Sequence, residues 1–131
     1  MNRLIVDTSS ILDALLDRSK QPEFRLLVER ARHGEIEIHI PEIALFELQW
    51  VLQSYYKKDK AYVLSLFRSF FRQKSVVIEN KVVFDQALEL FSEHEISLED
   101  ARICALALTT KGSGLVTSDK KLQNIWKKSA I

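Results

Sequence analysis

The chain is expected to fold as an α/β domain, a parallel sheet covered on both faces by helices. Two observations lead there. Short apolar runs alternate with stretches of helical periodicity along the whole length. Only three glycines and two prolines interrupt 131 residues, so regular structure should dominate. The length suits one domain, residues 1–131, large enough for a true core.

Taken in order, RLIV (3–6) reads as a short buried strand, followed by a helix from about Ser9 with Leu12, Leu15 and Leu16 on one face. A second helix fits 23–33, where Phe24, Leu27, Val28 and Ala31 recur at helical spacing and Gly34 stops it. IEIHI (36–40) alternates and ends at Pro41, the pattern of a strand. Residues 42–56 and 60–73 read as long helices and SVVIE (75–79) as a strand. Asn80 is placed to cap a helix reaching about His94, and SLED (97–100) opens another that ends near Gly112. GLVT (114–117) reads as a strand, 120–126 as a short helix, and SAI as the start of a last strand.

Composition excludes several functions. Apolar residues make up 47%, which argues against disorder. A net charge of +1 argues against holding nucleic acid by bulk charge alone. With one cysteine, Cys104, an internal disulfide is impossible and a reducing compartment fits best. The start of the chain is too short an apolar run for a signal peptide, and no stretch approaches a membrane span. A soluble cytoplasmic protein is expected.

Four acids stand in unusual positions. Asp7 and Asp119 each follow a short apolar run, at the strand ends where open parallel sheets gather their ligands. Each is equally suited to capping the helix that follows. Glu47 has Ile43, Ala44, Trp50 and Val51 as helical neighbours, so it reads as a nearly buried carboxylate in need of a cation, a hydrogen-bond network or a proton, the alternative being a core-edge glutamate that reaches solvent or pairs with an arginine. Asp100 has capping-box spacing from Ser97, yet shares a helical face with Ile96, Ile103, Cys104 and Ala107. If the four converge, like charges call for a cation, and all-oxygen ligation suits Mg²⁺ or Mn²⁺. His33, His39 and His94 are scattered, so zinc is poorly supported.

The stretches IVDTSSIL, IPEIALFELQWVL, EDARICALAL and LVTSDKKL, in that order, resemble the PIN-domain ribonucleases, in particular the toxins of VapBC-type toxin–antitoxin pairs. The resemblance implies a three-layer sandwich with a mainly parallel sheet of order 3-2-1-4-5, which would set the first and fourth strands side by side. It carries the family's acids onto Asp7, Glu47, Asp100 and Asp119 as catalytic metal ligands, with Thr8, Ser9 and Thr117 in support. Lys121 stands where many relatives have a further acid, and the chain closes soon after KKSAI, so a final edge strand would be short. The implied activity is hydrolysis of RNA phosphodiester bonds, assisted by one or two Mg²⁺ or Mn²⁺ ions that lower the pKa of the attacking water. Implied partners are the RNA, a cognate antitoxin and a second copy of the chain.

Lys111, Lys120, Lys121, Lys127 and Lys128 are placed to guide RNA, and YYKKDKAY (55–62) adds a basic-aromatic patch. The aromatic load of LFRSFFRQ (66–73) suggests a dimer or antitoxin surface as well as core packing. Two other classes compete. A receiver-type phospho-acceptor would need an aspartate ending the third strand, where only Glu79 is offered; an inactive interaction module would be expected to lose acids, and all four are kept. A nucleotide-binding switch lacks its phosphate loop.

Overall fold

A computed structural model describes residues 2–18 and 23–130. It divides into two compact units, Met1–Lys81 and Val82–Ile131.

The first unit is built on three parallel strands, β1 (Asn2–Ile5), β2 (Ile36–Ile40) and β3 (Val76–Ile78), in the order β1-β2-β3. β2 is central, and its alternation is physical. Ile36, Ile38 and Ile40 are buried, while Glu37 and His39 occupy the other face. There Glu37 pairs with His39 at 2.6 Å and with its cross-strand partner Arg3 at 3.2 Å. The His39 hydrogen bond, with Arg3 adding to it, holds the Glu37 carboxyl below its usual range.

Helices α1 (Thr8–Leu15), α2 (Glu23–Arg32), α3 (Glu42–Trp50) and α4 (Lys60–Arg72) supply the rest of this core. α2 ends as expected at Gly34, whose φ of 75° is left-handed. The Gly34 N–H donates to Ala31 and the Glu35 N–H to Arg30, closing a Schellman motif. The helix expected over 42–56 is α3 followed by one π-helical segment, Val51–Tyr55, in which the Tyr56 N–H reaches back five residues to the Val51 carbonyl.

In 66–73, Phe67 and Phe70 are buried, Phe70 against Phe24 edge-on at 6.2 Å, and complete the core as expected of some of these rings, while Leu66 and Phe71 are half-buried. Asn80 corrects an expectation. Its φ of 52° is left-handed, not the extended conformation of a helix cap, and its side-chain amide donates to Glu42 at 2.8 Å.

The second unit contains α5 (Lys81–Glu93, entered from the last residue of the first unit), α6 (Leu98–Thr109) and α7 (Lys120–Ser129). Phe84, Leu88, Phe91, Leu98, Ala101, Cys104, Leu122 and Ile125 are buried. The fourth strand expected at 114–117 does not form, and Val116 is fully exposed. Strand propensity needs a neighbour to pair with. The fifth strand is likewise not found among the described residues. Ser129 belongs to α7, which runs past the short helix expected over 120–126, and Ile131 lies outside the described residues. Of the order 3-2-1-4-5, the described sheet holds the first three strands.

Candidate active site

In the first unit the acids gather where parallel strands end. β1 runs into Asp7, β2 through Pro41 into Glu42, and β3 into Glu79. Asp7 caps α1, accepting the Ser10 N–H at 3.1 Å and the Ser9 hydroxyl at 3.0 Å. Both donors meet the same oxygen, Oδ1. The Ser10 amide and then the Ser9 hydroxyl lower the Asp7 pKa, against a small opposing effect of burial. Asp7 also lines an open hollow of about 340 Å³ with Ile5, Ser10, Glu23 and Leu27.

Thr8 is buried, and its hydroxyl donates to the Ala44 carbonyl at 3.2 Å. This bond ties the start of α1 to the first turn of α3, one turn before Glu47. Glu47 itself is exposed, which overturns the expectation of a nearly buried carboxylate. α3 is apolar on two sides. Ala44, Leu45 and Leu48 face the core, while Ile43 and Trp50 share the outward face with Glu47. Spacing at i±3 and i±4 shows that neighbours are apolar but not which stripe turns inward.

Sequence reasoning missed Glu42 and gave Glu79 and Asn80 other roles. Pro41 offers α3 no side-chain cap, and Glu79 fills that role by accepting the Glu42 N–H at 3.1 Å. Glu42 is buried and accepts from Asn80. The signal was present in sequence: a carboxylate directly after β3, and another parted from β2 only by a proline whose side chain cannot cap.

In the second unit Ser97 caps α6, its hydroxyl accepting the Asp100 N–H at 3.0 Å. Asp100 is half-buried. Of its expected face, Cys104 points inward, where burial raises the thiol pKa, and Ile103 points outward. Asp119 caps α7 by accepting the Leu122 N–H at 3.1 Å on Oδ1, and its own N–H donates to the Thr117 hydroxyl at 3.0 Å. Lys121 donates to the Glu95 carbonyl at 2.6 Å, which brings the first turn of α7 beside the residues that precede α6. The Asp100 and Asp119 ends of these helices therefore lie at one end of the unit.

No three His, Cys, Asp or Glu side chains form a metal-binding group among the described residues. Asp7 and Glu47 belong to one unit, Asp100 and Asp119 to the other. No helix among the described residues is long and apolar enough to cross a membrane.

The chain is thus an α/β protein with a parallel sheet and acids just past its strand ends. Residues 4–128 match the PIN domain, and the chain belongs to that family. PIN domains are typically nucleases that use divalent metal ions, which supports a hydrolase acting on nucleic acid. No curated protein and no solved structure matches the chain significantly.

Proposed function

We propose that the protein is a metal-dependent endoribonuclease in which Asp7, Glu47, Asp100 and Asp119 act as one ligand set for one or two Mg²⁺ or Mn²⁺ ions. Both units serve a single nuclease domain, as a family match running through both supports. The observation that carries the reading is the economy of the caps. Asp7 and Asp119 each spend Oδ1 on a helix terminus, and among the described residues no hydrogen bond takes up Oδ2. Capping and ligation are thus compatible on one carboxylate.

The donor set fits a hard dication, since it consists of carboxylate oxygens with hydroxyls beside them. The low Asp7 pKa keeps that ligand anionic. When bound, such an ion lowers the pKa of water and offsets charge on phosphoryl oxygens. Ser9 orients Asp7, Thr117 orients the Asp119 backbone, and Thr8 holds the first turn of α3 to α1. The finer role, a cytoplasmic toxin paired with an antitoxin and acting as a homodimer, rests on the resemblance of the four motifs.

The test is cleavage of single-stranded RNA by purified protein with Mg²⁺ or Mn²⁺ and with EDTA, beside an Asp100→Asn variant. Cleavage that EDTA and the variant both abolish is expected. Cleavage at an unchanged rate in EDTA would remove the metal from the reading.

A further inference from the structure

The outward face of α3 carries more than Glu47. Ile43, Glu47 and Trp50 recur at helical spacing and share one face, with Ile43 75% and Trp50 62% exposed. An indole this bare, one turn from a candidate metal ligand, keeps most of its surface outside the core.

The π-helical segment extends that face. In a continuing α-helix, residues five apart point to different sides. The i→i+5 bonding of Val51–Tyr55 turns the chain more slowly, which brings residue 55 back toward the side of residue 50. Tyr55 is 73% exposed, with its ring edge-on to Tyr56 at 4.8 Å.

Positive charge follows at once. Lys57 is exposed at a left-handed φ of 57°, and the Lys58 ammonium stands 5.0 Å over the Tyr62 ring. The one acid in this stretch, Asp59, caps α4 through the Tyr62 N–H at 2.8 Å, and with Lys57, Lys58 and Lys60 around it in sequence the stretch stays net positive. The surface thus runs from a carboxylate through two exposed amphipathic rings to lysines. Rings that stack bases beside cations that meet phosphates suit a single-stranded nucleic acid. Lysines directly beside the rings favour nucleic acid over protein, since interfaces between proteins share the aromatic enrichment but are depleted in Lys.

We propose that Trp50 and Tyr55 form a stacking platform for successive bases of single-stranded RNA, leading the strand to Glu47, with Lys57 meeting its backbone. This deepens the nuclease reading and rests on it for the identity of the strand.

The test is fluorescence anisotropy with a labelled 12-nucleotide single-stranded RNA of mixed sequence and with an abasic strand of equal length, both in EDTA so that binding is read without cleavage. Trp50→Ala and Tyr55→Ala are each expected to weaken binding of the base-bearing strand roughly five- to hundredfold. Trp50→Phe should stay within a few fold of the parent, and the abasic strand should bind parent and variants alike. Melting temperatures check that the exposed substitutions leave the fold intact. Parent-like binding of the RNA by both alanine variants overturns the platform. So does equal weakening on the abasic strand, or a dimer that becomes monomeric in Trp50→Ala by sedimentation while RNA binding is unchanged, since that assigns the face to a second copy. Glu47→Gln, measured alongside, separates the two readings. Loss of cleavage with parent-like Trp50→Ala binding ends the platform alone, whereas weakened Trp50→Ala binding with cleavage intact in Glu47→Gln ends the ligand assignment alone.

Discussion

Asp7 has two oxygens and two candidate uses, and substitution can tell them apart. Asparagine is as good a helix cap as aspartate, while alanine loses the cap at a cost of about 1 kcal/mol. Asp7→Asn should therefore melt close to the parent near neutral pH, whereas Asp7→Ala should not, and both should lose cleavage. The sign of the pH dependence follows from the lowered native pKa. A carboxyl group held below its unfolded value adds stability that is full above about pH 4 and lost as pH falls through the lower native value. Thermal melts between about pH 6 and pH 2.5 should show the parent losing stability more steeply than Asp7→Asn at the acid end. Equal slopes would mean that Ser10 and Ser9 do not favour the charged form in solution. Glu47 separates its uses differently. As an exposed residue it should tolerate Glu47→Gln with a stability change within about 0.5 kcal/mol, not the gain that a buried charge would give when removed. Calorimetric titration with Mn²⁺ should nonetheless show a sharp fall in affinity.

At the scale of elements, what holds α1, α2 and α3 in place is open to the same kind of test. Gly34→Ala would put a Cβ into open space, so the only cost is the left-handed backbone, about 1 kcal/mol. Gly114→Ala is the control, since its Cβ would meet only Trp126 at an ordinary 3.9 Å and its φ is not left-handed. Chemical denaturation should show a loss for the first and almost none for the second. These elements also show what was legible in sequence. Gly34 after a periodic run located the end of α2, and the alternation of IEIHI located β2, because each signal is local and has one physical cause. The direction of Glu47 was not legible, because α3 has two apolar stripes and only packing chooses between them. Nor was the π-helical segment, whose residues obey helical spacing until the ladder slips by one. GLVT has strand composition without a strand, because pairing is a property of two segments and composition belongs to one.

At the scale of the molecule, the four acids came from the order of their motifs, and the local structure explains each one's backbone without requiring the other three. The ligand-set reading therefore makes a demand that four residues acting independently do not. If Asp7 and Asp100 serve one ion or one pair of ions, removing either should abolish the same function, and removing both should cost little more. Such non-additivity is the mark of residues that act as a unit. Mn²⁺ should raise the melting temperature of the parent, because an ion that prefers the folded form stabilises it by mass action. That rise should vanish equally in Asp7→Asn, Asp100→Asn and the double variant, and the cleavage losses of the two single variants should not multiply in the double. Scanning calorimetry with and without Mn²⁺, run on all four proteins beside the cleavage assay, reads both quantities. Losses that multiply, or a metal-dependent rise that persists in Asp100→Asn, would leave the two units with separate chemistry and reduce Asp100 to a residue of the first turn of α6.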